Sequence, residues 1–293
     1  MLEPLLPVSD LEKAAPIFRG KAGRALARFL FKVLGVDKAE KEYARLEGLD
    51  GPDATGAFLR NTGVNYSVQG GENLADLPDG PFITISNHPI GSIDGIILVD
   101  YMGHRYPGYK VMVNKFLMRI KVMNSSFISV IPTGEERTAP TPESIGGVRA
   151  AVRQIKQEGL PLGLFPSGAV SDLKPGRRPV VTLPDGTTYT EPRIRDREWQ
   201  MPIVKFISRM NVPVVPIRFF DGNSGHYYRL GALFGWKVRL LRFPREVTNK
   251  RGKTIRLGIG PVITPAQQAA CKDMEELRAL LRGSVYSQEI KKK

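Results

Sequence analysis

Strand-like and helix-like stretches alternate from residue 81 onward. That alternation predicts an α/β fold with a mostly parallel central sheet flanked by helices, preceded by a helical N-terminal segment. Three observations carry this. The β-branched run PFITIS and the short apolar runs YKVMVN, FISVIP, LPLGLFP and VPVVPIRFF read as strands. Between them, IDGIILVDYM, FLMRIKVM, PESIGGVRAAVRQIKQE and VKFISRMN carry apolar residues at helical spacing. Finally, 293 residues with 42% hydrophobic content suffice for a large core, which excludes a chain disordered throughout.

The elements follow in order. Residues 1–60 read as mostly helical, and residues 61–293 as the main domain. Within the first part, GKAGRALARFLFKVLG (20–35) places Leu26, Phe29, Leu30, Val33 and Leu34 three and four apart. Lys21, Arg24, Arg28 and Lys32 fall on the opposite face. A basic amphipathic helix of this kind suits an anionic membrane interface, and equally a helix laid on the protein's own core. Further on, Pro142 suits the first turn of the helix over 142–158. KVRLLRFP and TIRLGIGPVI read as strands with a turn at 249–252, and DMEELRALLRGSVYSQEI as a last helix before a lysine tail.

No run of about 18 apolar residues exists, so no transmembrane helix is expected. The opening MLEPLLPVSDLEKAAP is broken by prolines and acids, so no secretory signal is expected either. Cys271 is the single cysteine and cannot form an intramolecular disulfide, which suits a reducing compartment. Lys and Arg number 43 against 29 Asp and Glu, a net charge of +14, which draws the protein to polyanions without saying which.

The strongest chemical signal is Ser86-Asn87-His88-Pro89-Ile90-Gly91-Ser92-Ile93-Asp94-Gly95. It follows a strand and opens a helix. Groups just beyond the carboxyl end of a parallel strand line the crevice of an open α/β sheet. The Pro and Gly allow a tight loop that returns Asp94 toward His88. A carboxylate on one imidazole nitrogen orients the ring, and the other nitrogen can take a proton from a hydroxyl. The bland alternative is an incidental His before an acidic residue at a helix start. A second signal, Leu164-Phe165-Pro166-Ser167-Gly168-Ala169-Val170-Ser171, ends a buried strand with small residues whose N–H groups could serve an oxyanion. A third is the basic run Lys174, Arg177, Arg178, Arg193, Arg195 and Arg197, read as an anion site or a solvated loop. Other motifs fail. A phosphate-binding loop ending at Gly252-Lys253-Thr254 would need Gly where Val247 stands, and Phe165 and Ala169 break G-x-S-x-G around Ser167. No His/Cys cluster suits zinc.

In sequence order, SNHPIGSIDG, VNKFLMRI, FISVIP, LFPSGAVS, RIRDREWQMPIVKF, VPVVPIRFFDGNS and VTNKRGKTIRLGIG resemble the glycerolipid acyltransferase superfamily from about Phe82 to Ile263. The likeness is greatest to its haemolysin-like branch, which includes lyso-ornithine lipid O-acyltransferases. The resemblance implies an acyltransferase domain over 61–293, with His88 as general base on an acceptor hydroxyl and Asp94 as its orienting partner. It implies a thioester of acyl carrier protein or coenzyme A as co-substrate, with no metal and no other cofactor. Substrate contacts are expected from Asn87, Gly91, Lys115, Pro166, Ser167 and Gly168. Lipid substrates favour the membrane reading of residues 20–35, through Lys21, Arg24, Arg28, Phe29, Leu30 and Lys32, at the cytoplasmic face of the cell membrane.

Two departures bear on the acceptor. Five residues separate His88 from Asp94 where many members have four, although the haemolysin-like branch shows the longer spacing. Ser167, Ala169 and Val170 stand where the third motif usually has Glu, Thr and Arg, and FISVIPTG lacks the arginine usual in the second. A lysophosphatidate would lose its phosphate clamp. That favours the hydroxyl of an N-(3-hydroxyacyl) amino acid, a lyso-ornithine-like lipid, with its carboxylate on Lys174, Arg177, Arg178 or Arg218. Three alternatives stay open: a 1-acylglycerol-3-phosphate acyltransferase, a hydrolase using Ser167, His88 and Asp94, and a non-enzymatic binder of anionic membrane or nucleic acid. No nucleic-acid motif is present, and nucleic acid is not expected as a partner.

Overall fold

The computed structural model describes residues 2–131, 142–183, 185–235 and 242–290. Four helices come first: α1 (Val8–Ala14), α2 (Gly20–Leu34), α3 (Val36–Ala44) and α4 (Gly51–Thr62). The strands are β1 (Asn65–Gln69), β2 (Ile83–Ser86), β3 (Lys110–Asn114), β4 (Phe127–Val130), β5 (Leu162–Leu164), β6 (Asp172–Leu173), β7 (Val180–Thr182), β8 (Thr188–Thr190), β9 (Ile194–Arg195), β10 (Val214–Phe219) and β11 (Thr254–Ile259). The later helices are α5 (Ser92–Gly103), α6 (Pro142–Lys156), α7 (Met201–Met210), α8 (Gly225–Phe234), α9 (Phe243–Thr248), α10 (Pro265–Ala269) and α11 (Met274–Tyr286).

Seven strands form one sheet in the order β1-β11-β10-β2-β5-β3-β4. All its pairings are parallel except β10 with β11. The mostly parallel α/β fold read from the alternation is therefore the fold observed, with its N-terminal helices in place. The central strands are apolar because helices cover both faces. On one face, Ala54, Phe58 and Leu59 of α4 and Ile93, Ile97, Leu98 and Met102 of α5 close a core with Val111, Val215 and Leu257. On the other, Ala151 and Ile155 of α6, Val204 and Ile207 of α7, and Leu277, Leu281 and Val285 of α11 pack on Ile83, Ile85, Leu162 and Leu164. Ile93, Ile96, Ile97, Leu98, Val99, Tyr101 and Met102 bury most of α5, with Asp94 the buried acid among them.

Two expectations change, and one strand is new. FLMRIKVM, read as a helix, forms two successive 3₁₀ segments, Lys115–Arg119 and Lys121–Ser126. KVRLLRFP, read as a strand, lies partly outside the described residues, and its described end is already the helix α9. The polar stretch NYSVQ, left unassigned by periodicity, is the edge strand β1 paired with β11.

α2 has three faces rather than two. Gly23 and Ala27 are buried, and a Cβ on Gly23 would lie 2.3 Å from the backbone of Phe18, so the helix seats closely there. Beside that seam, Phe29 (63% exposed), Val33 (51%) and Leu26 (37%) face solvent, joined by Ile17 at 67%. Lys21, Arg24, Arg28 and Lys32 are exposed as well. Among the described residues no helix is long and apolar enough to cross a membrane.

Candidate active site

β2 ends at Ser86, and the chain peels away from the sheet edge there. Asn87 makes the transition: its Nδ2 donates to Phe219 O at 2.9 Å and its Oδ1 accepts Phe219 N–H at 2.7 Å. The side-chain amide continues the ladder with β10, which frees the main chain to carry His88 beyond it. Short polar contacts hold the loop that follows. His88 N–H donates to Asp196 Oδ1 at 3.2 Å, and His88 O accepts Ser171 N–H at 2.8 Å. Pro89 O accepts the Tyr228 hydroxyl at 2.6 Å, and Ile90 O accepts Asn223 Nδ2 at 3.0 Å. Gly91 turns the chain at φ 97°, ψ −116°, a region that side chains with a Cβ rarely enter. Asp94, third residue of α5, then points back, and its Oδ2 accepts the N–H groups of Ile90 and Gly91, each at 2.9 Å.

The same Oδ2 lies 3.1 Å from His88 Nδ1. His88 Nδ1 makes no well-directed hydrogen bond there. Asp94 is fully buried whereas His88 is 18% exposed, so the carboxylate sits behind an imidazole that reaches the site. Phe165, just past β5, packs on the ring at 4.0 Å between centroids and a 32° tilt.

Asp196, quoted in the sequence within RIRDREWQ but given no role there, is buried beneath the loop. Its carboxylate accepts Ser171 Oγ–H at 2.5 Å and Trp199 Nε1–H at 3.1 Å besides His88 N–H. Burial pushes its carboxyl above the ordinary value, opposed by these three donors.

A cavity of about 980 Å³ opens at His88 and runs between α6 and α7 over the ends of β3, β4 and β5. Its walls are apolar, with Met112, Phe127, Val130, Val152, Ile203 and Phe206 among them. Three cations also reach it: Arg149 from α6, and Lys205 and Arg209 from successive turns of α7.

The predicted site residues divide accordingly. His88, Gly91, Pro166 and Gly168 line the cavity. Asn87 and Ser167 lie just behind it, and Lys115 follows Asn114 at its edge. The structure does not bring the proposed carboxylate cradle there. Lys174, Arg177 and Arg178 sit on the outer loop between β6 and β7, where Arg178 Nε donates to Glu191 O at 3.0 Å. Arg218 donates to the carbonyls of Tyr286 and Gln288, tying down the end of α11. Charge density along the sequence drew attention to that loop, whereas the cations that face the cavity are spread over two helices. Gly168 N–H donates to Phe165 O at 2.9 Å, closing the turn, so it is not the free oxyanion donor expected from the motif. The Ser167 hydroxyl donates to Ala169 O at 2.7 Å and Arg197 Nε to Ser167 O at 2.7 Å, so this serine serves the turn and has no imidazole beside it in the manner of a triad.

The chain is similar to known acyltransferases. A family model described as acyltransferase matches residues 11–144. A lyso-glycine lipid O-acyltransferase of Phocaeicola vulgatus is 26% identical over 282 residues, covering 89% of this chain and 91% of that protein. A second protein of that name, from Bacteroides thetaiotaomicron, is 25% identical over 234 residues, covering 75% and 76%. The 1-acyl-sn-glycerophosphate acyltransferase PlsC from Thermotoga maritima superposes with a TM-score of 0.45 at 15% identity, over 89% of this chain and 90% of that one. The acyltransferase family match and the two lyso-glycine lipid O-acyltransferase relatives support a place for this chain in the glycerolipid acyltransferase superfamily and a lipid O-acyltransferase activity.

Proposed function

We propose that this enzyme transfers a fatty acyl chain directly from a thioester to the hydroxyl of an N-acylated amino acid, with His88 as the base. The observation that carries the reading is the His88–Asp94 contact of 3.1 Å at the mouth of a long apolar cavity. The acyl chain of the donor lies in the cavity, where each buried methylene contributes about 0.8 kcal/mol. The acceptor hydroxyl approaches His88 Nε2, which takes its proton as the oxygen attacks the thioester carbonyl. Asp94 stabilises the imidazolium. The tetrahedral intermediate collapses, expelling the thiolate, which takes the proton from His88. The ester and the free thiol leave.

An acidic head group on the acceptor suits the cations on the cavity better than the outer basic loop. Arg149, Lys205 and Arg209 are the groups we assign to it. The two relatives named for a lyso-glycine lipid support an amino-acid lipid, and glycine is the head group we expect. Acyl carrier protein and coenzyme A both carry the required thioester.

We further propose that the enzyme works as a peripheral protein on the cytoplasmic face of an anionic membrane. The exposed stripe of Ile17, Leu26, Phe29 and Val33 enters the interface, and the neighbouring Lys21, Arg24, Arg28 and Lys32 meet anionic head groups.

The test incubates wild type and His88→Ala with acyl-carrier-protein and coenzyme A thioesters. The acceptors are N-(3-hydroxyacyl)glycine, N-(3-hydroxyacyl)ornithine and lysophosphatidate, and products are read by mass spectrometry. Acylation of the glycine lipid by wild type alone supports the reading. Acylation of lysophosphatidate alone overturns the acceptor assignment and leaves the chemistry standing.

A further inference from the structure

The stretch VTNKRGK stands well outside the catalytic loop in sequence, yet its first lysine, Lys250, is buried behind it. Lys250 and Glu246 are each 1% exposed, with Nζ 3.2 Å from Glu246 Oε2. Lys250 also donates to Asn223 Oδ1 and to Asn249 Oδ1, each at 3.1 Å. Its three N–H donors are thus all met. Glu246 in turn accepts Ser224 N–H at 2.9 Å and Ser224 Oγ–H at 2.6 Å.

An ammonium can only donate, so it obliges Asn223 to present its oxygen. The amide nitrogen of Asn223 must then face the other way, and it meets Ile90 O at 3.0 Å. Next to it, Asn223 N–H donates at 3.0 Å to the Tyr228 hydroxyl, which donates to Pro89 O. Two consecutive carbonyls of the loop are therefore held from one side, and the two N–H groups of Ile90 and Gly91 from the other by Asp94. A buried ion pair is on average no more stabilising than apolar residues of the same volume, so stability alone does not account for one here.

We propose that the buried Glu246–Lys250 pair is a positioning device for the catalytic loop, acting through Asn223 on the carbonyl of Ile90. It sets where Asp94 and His88 stand without touching substrate. This rests on the reading that His88 and Asp94 perform the chemistry. The charged groups near His88 are Asp94 from α5, Asp196 from beyond β9 and, one residue removed, the Lys250–Glu246 pair; Lys250 and Asp94 also attract one another.

Two variants test it. Asn223→Asp keeps an acceptor for Lys250 but loses the donor to Ile90 O. The double variant Glu246→Gln with Lys250→Met removes both charges at similar volume. Each is expected to lower kcat by about tenfold or more while KM moves less than about twofold, because a displaced base affects the transition state and not binding. A second readout needs no substrate. The protein has three histidines, so the ring Cε1–H proton of His88 can be assigned by its loss in His88→Ala. It is expected to shift or broaden in both variants. If the double variant does not fold, Asn223→Asp decides alone. A folded Asn223→Asp with wild-type kcat and an unmoved imidazole proton overturns the proposal. If wild type acylates none of the acceptors, the functional reading fails while the imidazole signal still decides the positioning.

Discussion

Replacing Asp94 by Asn removes one charge and little else. The amide oxygen can still accept the N–H groups of Ile90 and Gly91, now at 2.9 Å from Oδ2, so the loop keeps its path. What goes is the attraction between a carboxylate and the imidazolium formed as His88 accepts the proton. At the observed 3.1 Å and an effective dielectric of about 20, that attraction is about 5 kcal/mol. If it acts fully in the transition state, kcat falls by about 10⁴-fold, since about 1.4 kcal/mol is tenfold. Stability falls by about 1 kcal/mol, the difference between charge-assisted and neutral acceptance of two backbone donors. The assay is initial-rate transfer from a thioester at saturating acceptor, alongside thermal melting of both proteins. A folded Asp94→Asn enzyme that keeps more than about a tenth of wild-type kcat refutes the claim that the carboxylate acts through its charge.

Gly91→Ala forces a Cβ onto a φ of 97° and is expected to cost about 1–3 kcal/mol in urea denaturation, with a fall in kcat as Asp94 shifts. Ser167→Ala is expected to keep most transfer activity, because the hydroxyl serves Ala169 O; complete loss with an intact fold would return the serine hydrolase to consideration. Reversing Arg24 and Arg28 to Glu is expected to weaken sedimentation with anionic liposomes by about 1 kcal/mol for each basic charge removed, whereas unchanged binding would refute the docking face. For Glu246, burial pushes the carboxyl up, but the two Ser224 hydrogen bonds and the Lys250 charge outweigh it and hold it below its ordinary 4.5. Its folded value is the lower one, so its contribution is complete above pH 4.5 and is lost as pH falls through the folded value; Glu246→Gln should flatten that part of a stability-versus-pH curve.

Much of the catalytic loop was legible because its signals are local. A β-branched strand, a Pro/Gly turn and an acid in the first turn of an apolar helix lie within fifteen residues, and each constrains the next. The helix over 142–156 was legible for the same reason. Sheet order was not, since the insertion of β5 between β2 and β3 depends on long-range pairing. β1 escaped because an edge strand with one solvated face has polar alternation that resembles a loop. The cations facing the cavity escaped because Arg149 and Arg209 converge only when α6 and α7 lie side by side. Asp196 and Lys250 were visible as residues but carried no local sign of their role, because burial of a charge is a property of the whole fold.

The side chain of Asn87 standing in for a strand residue has a consequence for motion. It couples the catalytic loop to β10, so the loop cannot lift without breaking two hydrogen bonds of the sheet edge. Amide protons of Ile90, Gly91 and Phe219 should therefore exchange with solvent only through openings close in free energy to global unfolding, as core strands do. Exchange of these three amides at the rate of an exposed turn would show instead that the loop breathes on its own. On the proposed mechanism, a loop locked in this way would keep His88 in register through turnover, and any movement that admits an acyl chain would fall to α6 and α7, which also line the cavity.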